Sequence, residues 1–155
     1  MKKIVSSSLK LKVIIAGSRG ITGDFYDSLD SLLRKLSSVI SIFYDRKTII
    51  GEIVSGGARG ADKLGEQWAL NNDISIIKFL PDWGLYGKSA GYRRNVEMAN
   101  YADILVALWD GKSRGTNHMV NIMKDKNEPV IVLTTDMKAS VVPESLAKLC
   151  DWSEL

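Results

Sequence analysis

Apolar positions along the chain follow two alternating periods. Residues 10–16 (KLKVIIA) form a β-branched apolar run that stops at Gly17-Ser18-Arg19-Gly20, which reads as a buried strand entering a glycine turn. Phe25, Leu29, Leu32, Leu33 and Leu36 then recur at helical spacing, with Thr22 or Asp24 placed to cap the start. Residues 49–55 form a second apolar run, ending at Gly56-Gly57-Ala58-Arg59-Gly60, and Ala61, Leu64 and Trp68 mark one face of a second helix. Residues 74–80 predict a third strand stopped by Pro81. A glycine-rich loop is expected over residues 81–91, then a third helix carrying Tyr92, Val96 and Ala99. Residues 104–109 predict a fourth strand that ends at Asp110-Gly111-Lys112-Ser113-Arg114-Gly115. Thr116, Val120 and Met123 give a fourth helix, residues 129–134 a fifth strand, and the tail from Ala139 a short helix with a frayed end.

Five alternations of strand and helix, without repeats or a dividing linker, predict one α/β domain over residues 1–155. Its core is placed at about 11–134, with a C-terminal extension over 135–155. The expected architecture is a Rossmann-like open parallel sheet of about five strands, order 3-2-1-4-5, with helices on both faces. Only residues 38–48 and 81–91 are long connections; the first reads as a helix end plus a turn.

Composition narrows the class. The chain has 155 residues, 45% hydrophobic and 25% charged, an ordinary globular mix that excludes a disordered or fibrous protein. No apolar run approaches the roughly 20 residues of a membrane span. Residues 1–8 carry positive charge but no apolar h-region, so no signal peptide is expected. The single cysteine, Cys150, cannot form an internal disulfide, and a cytoplasmic location is the simplest expectation. A net charge of +3 with scattered lysines and 18 acidic residues gives no extended basic stripe, so nucleic acid is not expected as a partner.

Chemistry concentrates at the strand ends. In open parallel sheets ligands bind beyond the carboxyl ends of the strands, near the switch point of the strand order. Three strands end in glycine turns leading into helices, where free amides and the helix dipole favour an anion such as phosphate. Arg19, Arg59 and Arg114 lie inside these turns, and Arg93 and Arg94 open the third helix. A guanidinium matches phosphate or carboxylate with paired donors, and Arg93 is the one best read as a solvated surface residue. In the 81–91 loop, Trp83 or Tyr86 could stack on a base while Lys88 meets a phosphate; equally, Trp83 could only pin the loop to the core. Asp62 and Asp110 are the groups best placed for ribose hydroxyls or for orienting arginines, although at Asp62 the helix dipole alone is an equal explanation.

Stronger signatures fail. Gly87-Lys88-Ser89 and Gly111-Lys112-Ser113 would need a P-loop glycine where Asp82 and Val106 stand. There is no G-x-G-x-x-G after the first strand and no nucleophile elbow. The only histidine, His118, has no partner at metal-ligand spacing, so neither a metal nor a cofactor is expected; it either touches ligand or is a plain helix residue.

The motifs Ala16-Gly17-Ser18-Arg19, Ser55-Gly56-Gly57-Ala58-Arg59-Gly60-Ala61-Asp62, Asp82-Trp83, Gly87 through Asn95 and Gly115-Thr116 resemble the SLOG superfamily, specifically its YspA-like, YpsA-related branch, over about residues 11–134. That resemblance implies a Rossmann-like fold binding nucleotides or nucleotide-derived molecules, with ligand contacts at Gly17, Ser18, Arg19, Gly56, Gly57, Ala58, Arg59, Asp62, Trp83, Lys88, Arg94, Asn95, Asp110, Arg114, Gly115 and Thr116. The more distant LOG phosphoribohydrolases cleave N-glycosidic bonds of nucleotides. Arg94 and Gly115-Thr116 match their pattern, but their glutamate falls on Met119, which leaves Arg94 and Asp110 as the catalytic candidates of a hydrolase reading. Other members sense nucleotide signals, and the DprA-like branch binds single-stranded DNA. The expected function is therefore binding of a nucleotide or nucleotide-derived signal, as sensor or sequestering protein. The alternatives are a nucleotide hydrolase and a single-stranded nucleic-acid module. LOG-type relatives imply a homodimer, for which Trp68, Tyr101 and Trp152 could form an interface or, equally, belong to the core.

Overall fold

In the computed structural model residues 9–155 are described; the signal-peptide expectation concerns residues 1–8 and lies outside them. Six strands form one sheet in the order β3-β2-β1-β4-β5-β6. β1 (Lys10–Gly17) lies at the centre, flanked by β2 (Ile49–Ser55) and β4 (Ile104–Trp109), with β3 (Ser75–Lys78) and β5 (Val130–Thr134) beyond them, all parallel. The switch in strand order falls at β1, as a doubly wound sheet requires for a crevice there.

The helices divide between the two faces. α1 (Tyr26–Phe43), α2 (Ala61–Asn71) and the short α6 (Glu144–Ala147) cover one face, where Leu29, Leu33, Leu36, Trp68 and Leu146 pack on Val13, Ile15, Ile53 and Val106. α4 (Ala90–Tyr101) and α5 (Arg114–Asp125) cover the other, where Met98, Ala99, Met119 and Met123 meet Ile14, Val54, Leu105 and Ala107. Alternate residues of each central strand therefore enter opposite cores, which explains why these strands read as continuous apolar runs.

Several expectations are corrected. The tail from Ala139 opens with a sixth strand, β6 (Ala139–Val142), antiparallel to β5, before α6. A tight turn over residues 134–138, with Met137 at φ 65°, closes that hairpin and commits the Thr134 amide to the Lys138 carbonyl. The 135–155 segment thus supplies an edge strand and the buried Leu146 and Trp152. Residues 38–48 are the helix end and turn that were expected: α1 runs to Phe43 and a short turn leads to β2. Thr22 opens a 3-10 turn, Gly23–Phe25, without a side-chain cap bond, and α1 begins at Tyr26. Residues 81–91 are not an open loop: α3 (Trp83–Tyr86) and a 3-10 turn at Gly87–Ser89 lead into α4. Asp82 nucleates them by accepting the Leu85 amide at 3.0 Å. Of the residues left open between interface and core, Trp68 and Trp152 are only 4% and 6% exposed and lie in the core.

Candidate functional site

The carboxyl ends of β1, β2 and β4 open into one cleft of about 390 Å³. It is lined by Gly17, Ser18, Arg19, Ala58, Asp62, Arg94, Asn95, Asp110, Gly115 and Thr116, all expected from the sequence. Gly20, Met98, Ser113 and Met119 also line it and were not expected as ligand residues. Gly56, Gly57, Arg59, Trp83, Lys88 and Arg114 stand outside that lining. Arg59, Arg114 and Lys88 are exposed, and Trp83 is half exposed, its ring lying over Gly91.

Each turn is built for close approach. A Cβ on Gly17 would collide with the Leu108 carbonyl of β4, and one on Gly60 (φ 81°) with the Ser18 carbonyl. Glycine at both positions lets the β1 and β2 turns close on each other and on β4. Ser18 then fastens β1 to the end of β4: its amide donates to Leu108 O at 2.9 Å and its hydroxyl accepts the Asp110 amide at 2.9 Å. That side chain braces the turn from within the cleft lining.

The turn after β2 rests on a buried polar chain. Ser55 Oγ donates to Glu66 Oε2 at 2.6 Å and accepts the Gly57 amide at 3.1 Å, while Lys78 Nζ pairs with Glu66 Oε1 at 3.2 Å. Burial raises the Glu66 carboxyl, but Ser55, Lys78 and Lys63 outweigh it and hold the group below its ordinary value. Asp62 Oδ2 accepts the Ala58 amide at 3.1 Å. Burial pushes the Asp62 carboxyl up to about 6, against the Ala58 amide and the Arg94 charge. With the Gly57 and Ala58 amides so engaged, this turn offers a ligand side chains more than backbone donors.

Helix α4 carries the cation. Arg94 Nη1 donates to the Gly56 carbonyl at 2.5 Å and its Nε to Asn95 Oδ1 at 3.2 Å. Burial lowers its pKa and the Asp62 charge opposes that shift. Asn95 is itself buried; its Nδ2 donates to Gly115 O at 3.1 Å and meets His118 Nδ1 at 3.2 Å. Asn95 therefore braces α4 against α5. His118 lies half-buried under Tyr92, ring centroids 4.6 Å apart, and burial lowers its pKa.

The turn after β4 is closed by Asp110, whose Oδ1 accepts the amides of Lys112 at 2.8 Å and Ser113 at 2.9 Å. Those bonds hold its carboxyl below the usual carboxylate range. Ser113 caps α5, accepting the Thr116 amide at 3.3 Å and the Thr116 hydroxyl at 2.9 Å. The Asn117 amide returns to Ser113 O. The first-turn amides of Arg114 and Gly115 have no intrahelical acceptor by helix geometry, and Gly115 lies on the cleft wall. Sequence position before Arg-Gly-Thr is the signal that would have found Ser113 as a cap; Met119 stands where the LOG pattern has its glutamate, whereas Met98 carries no signal beyond helical spacing.

Among the described residues, no group of three or more His, Cys, Asp or Glu side chains is gathered closely enough to hold a metal ion. No helix among them is long and apolar enough to cross a membrane.

Comparison with known proteins agrees with this architecture. A family model described as YAcAr, the YspA, cpYpsA-related SLOG family, matches residues 11–86. Gene 61 protein of Mycobacterium phage D29 is 38% identical over 85 residues, covering 51% of this chain and 68% of that protein. Among solved structures, DNA processing protein A (DprA) from Streptococcus pneumoniae superposes with a TM-score of 0.58 at 16% identity, over 80% of this chain and 50% of that one. DprA from Helicobacter pylori, described for its single-stranded DNA binding mode, gives 0.57 at 21% identity, over 80% and 65%. TM1055, a structural-genomics target, gives 0.55 at 19% identity, over 79% and 74%. This chain thus spans about half to two thirds of the DprA chains it resembles. At these identities the likeness is one of fold. It nevertheless overturns the expectation that nucleic acid is not a partner: the fold is shared with a protein described by single-strand binding, so a balanced net charge is no argument against such a ligand.

Proposed function

The chain belongs to the YspA, cpYpsA-related SLOG family, and we propose that its cleft binds a nucleotide or nucleotide-derived molecule through phosphate. One observation carries this reading: the glycine turns after β1, β2 and β4 converge on a single cleft faced by Arg19, Arg94 and the first turn of α5. Unpaired first-turn amides and the helix dipole favour an anion there. Arg19 and Arg94 supply charge-assisted donors in the same space. Gly17 and Gly60 give the close packing of turns, while Ser18, Asn95 and Asp110 hold the walls. Arg59 and Arg114 are exposed neighbours in sequence of the lining residues Ala58 and Gly115 and add positive charge there. Turnover is not part of the reading, because Met119 is apolar where LOG-type enzymes have a glutamate and Asp110 is engaged by backbone amides.

The test is mass spectrometry on the purified protein incubated with mononucleotides, dinucleotides, cyclic nucleotides and ADP-ribose derivatives, examining both retained ligand and supernatant. An intact ligand retained by the parent and lost in Arg94→Ala is the expected result. A free base or shortened phosphate chain that disappears in Asp110→Asn would establish the hydrolase instead, and retention of nothing would remove the nucleotide reading.

A second reading, a single-stranded nucleic-acid ligand, is favoured by the surface beside the cleft. Trp83, Tyr86 and Tyr92 are 50%, 42% and 43% exposed, with Lys88 exposed among them and the Arg93 guanidinium 4.3 Å over the Tyr86 ring. Aromatics interleaved with cations form the usual stacking surface for single strands. Under this reading Trp83→Ala weakens binding of a dT oligonucleotide about tenfold or more and leaves mononucleotide affinity unchanged. Equal loss for both ligands would assign Trp83 to the nucleotide cleft.

A further inference from the structure

The cleft holds one group that a phosphate site does not need. Asp62 is 5% exposed yet lines the cleft wall. A surface carboxylate would serve the α2 dipole equally well, so helix stabilisation does not explain why this one is buried. Its single described hydrogen bond, from the Ala58 amide to Oδ2, uses a small part of a carboxylate's acceptor capacity. Two arginines, Arg94 and Arg19, and one carboxylate, Glu66, act on it electrostatically. A carboxylate repels phosphate and can only accept, so whatever part of a ligand lies against it must be a hydrogen-bond donor.

Position selects which part. The anion-favouring first turn of α5 follows β4, whereas Asp62 follows β2, and both strands adjoin β1. The two ends are thus two strand spacings apart, roughly 10 Å. With phosphate at Gly115, the sugar is the next part of a nucleotide along that line, and its hydroxyls are the donors it offers.

We infer that Asp62 accepts a ribose hydroxyl and so makes the cleft select ribose-bearing over 2′-deoxyribose-bearing ligands. This rests on the nucleotide reading above and names its ligand class. A site whose buried acceptor depends on a ligand hydroxyl discriminates against the analogue lacking it more strongly than an apolar pocket does.

Calorimetric titration of the full chain at pH 8 with the 5′-monophosphates of all four ribonucleosides and their 2′-deoxy counterparts tests this, with inorganic pyrophosphate as a sugar-free probe. Tenfold or greater preference for the ribo member of each pair is expected. In Asp62→Asn the preference falls to about twofold while pyrophosphate affinity holds or rises. Equal affinities for both sugars in the parent, with pyrophosphate bound, overturn the inference and leave the nucleotide reading intact. Discrimination among bases but not between sugars also overturns it, because the carboxylate then meets a base amine. Failure of all eight nucleotides and of pyrophosphate overturns the inference together with the reading beneath it. The comparison in the parent protein stands even if the variant fails to fold, which its thermal midpoint reports.

Discussion

Arg94 Nη1 donates to the carbonyl oxygen of Gly56 at 2.5 Å, a bond between residues 38 positions apart that ties α4 to the end of β2. The contact exists because position 56 has no side chain. A Cβ there would overlap Arg94 Nη1 and stand 2.8 Å from its guanidinium carbon and 2.9 Å from Asp62 Oδ2. Gly56→Ala therefore has to displace the arginine or the turn. Overpacking of this kind costs about 1–3 kcal/mol, and the displaced guanidinium should weaken nucleotide binding tenfold or more. Urea denaturation and calorimetry on the one variant read both effects. Unchanged affinity alongside lowered stability would show that binding does not require the placement of Arg94.

The titration of Asp62 predicts a pH-dependent stability. Burial pushes its carboxyl up to about 6, with Glu66 adding to the rise and the Ala58 amide, Arg94 and Arg19 opposing it. In the unfolded chain the group titrates near its ordinary value of 3.8. The folded state therefore holds the proton more tightly, so the stability this group contributes is complete below about pH 4 and is lost as pH rises through 6. Two pKa units correspond to about 3 kcal/mol. Asp62→Asn, which does not titrate, should gain on the parent by up to that amount between pH 4 and 8. Urea midpoints of the two proteins across that range measure it, and a pH-independent difference would assign the shift to another group.

Much of this geometry is legible in the residues themselves. The runs at 10–16, 49–55 and 104–109 read as strands because their later residues are buried on both faces, and the glycine turns that follow them locate the cleft. β6 is not legible: Ala139-Ser140-Val141-Val142 is too short to show a period, and it is defined by pairing with β5. The glycines of residues 84–91 suggest a loop, but the Asp82 cap and a short 3-10 turn fold them into helical turns. On α4 the apolar period misleads. Tyr92 and Val96 are each 43% exposed, whereas the polar Asn95 is 6% exposed. Hydrophobicity cannot register a side chain buried because it braces Gly115 and His118. The cleft was therefore readable as glycines and arginines, while the bonds that fix their positions were not.

Ser113 tests whether the first turn of α5 contributes to binding. Removing its hydroxyl in Ser113→Ala takes the cap from the Thr116 amide and the partner from the Thr116 hydroxyl. Loss of a serine cap costs about 1 kcal/mol. The frayed turn should exchange its Thr116 and Asn117 amide hydrogens faster and bind pyrophosphate more weakly. Faster exchange with undiminished pyrophosphate affinity would place the anion elsewhere in the cleft.

The polar chain beneath the second turn makes the last prediction. Ser55 is fully buried and serves two partners at once, donating to Glu66 and accepting from the Gly57 amide. Ser55→Ala fits the space but leaves the Gly57 amide and Glu66 Oε2 each short of a partner, at about 1–3 kcal/mol for a buried orphan. Because the Gly56 carbonyl that anchors Arg94 lies between these residues, the loss should reach the cleft as well as the fold. Ser55→Thr, which keeps the hydroxyl, should recover affinity even if its extra methyl costs stability. Thermal melts and nucleotide titrations on the two variants separate the effects. If both lose stability equally and neither loses affinity, the Glu66–Ser55–Gly57 chain supports the fold without positioning the cleft.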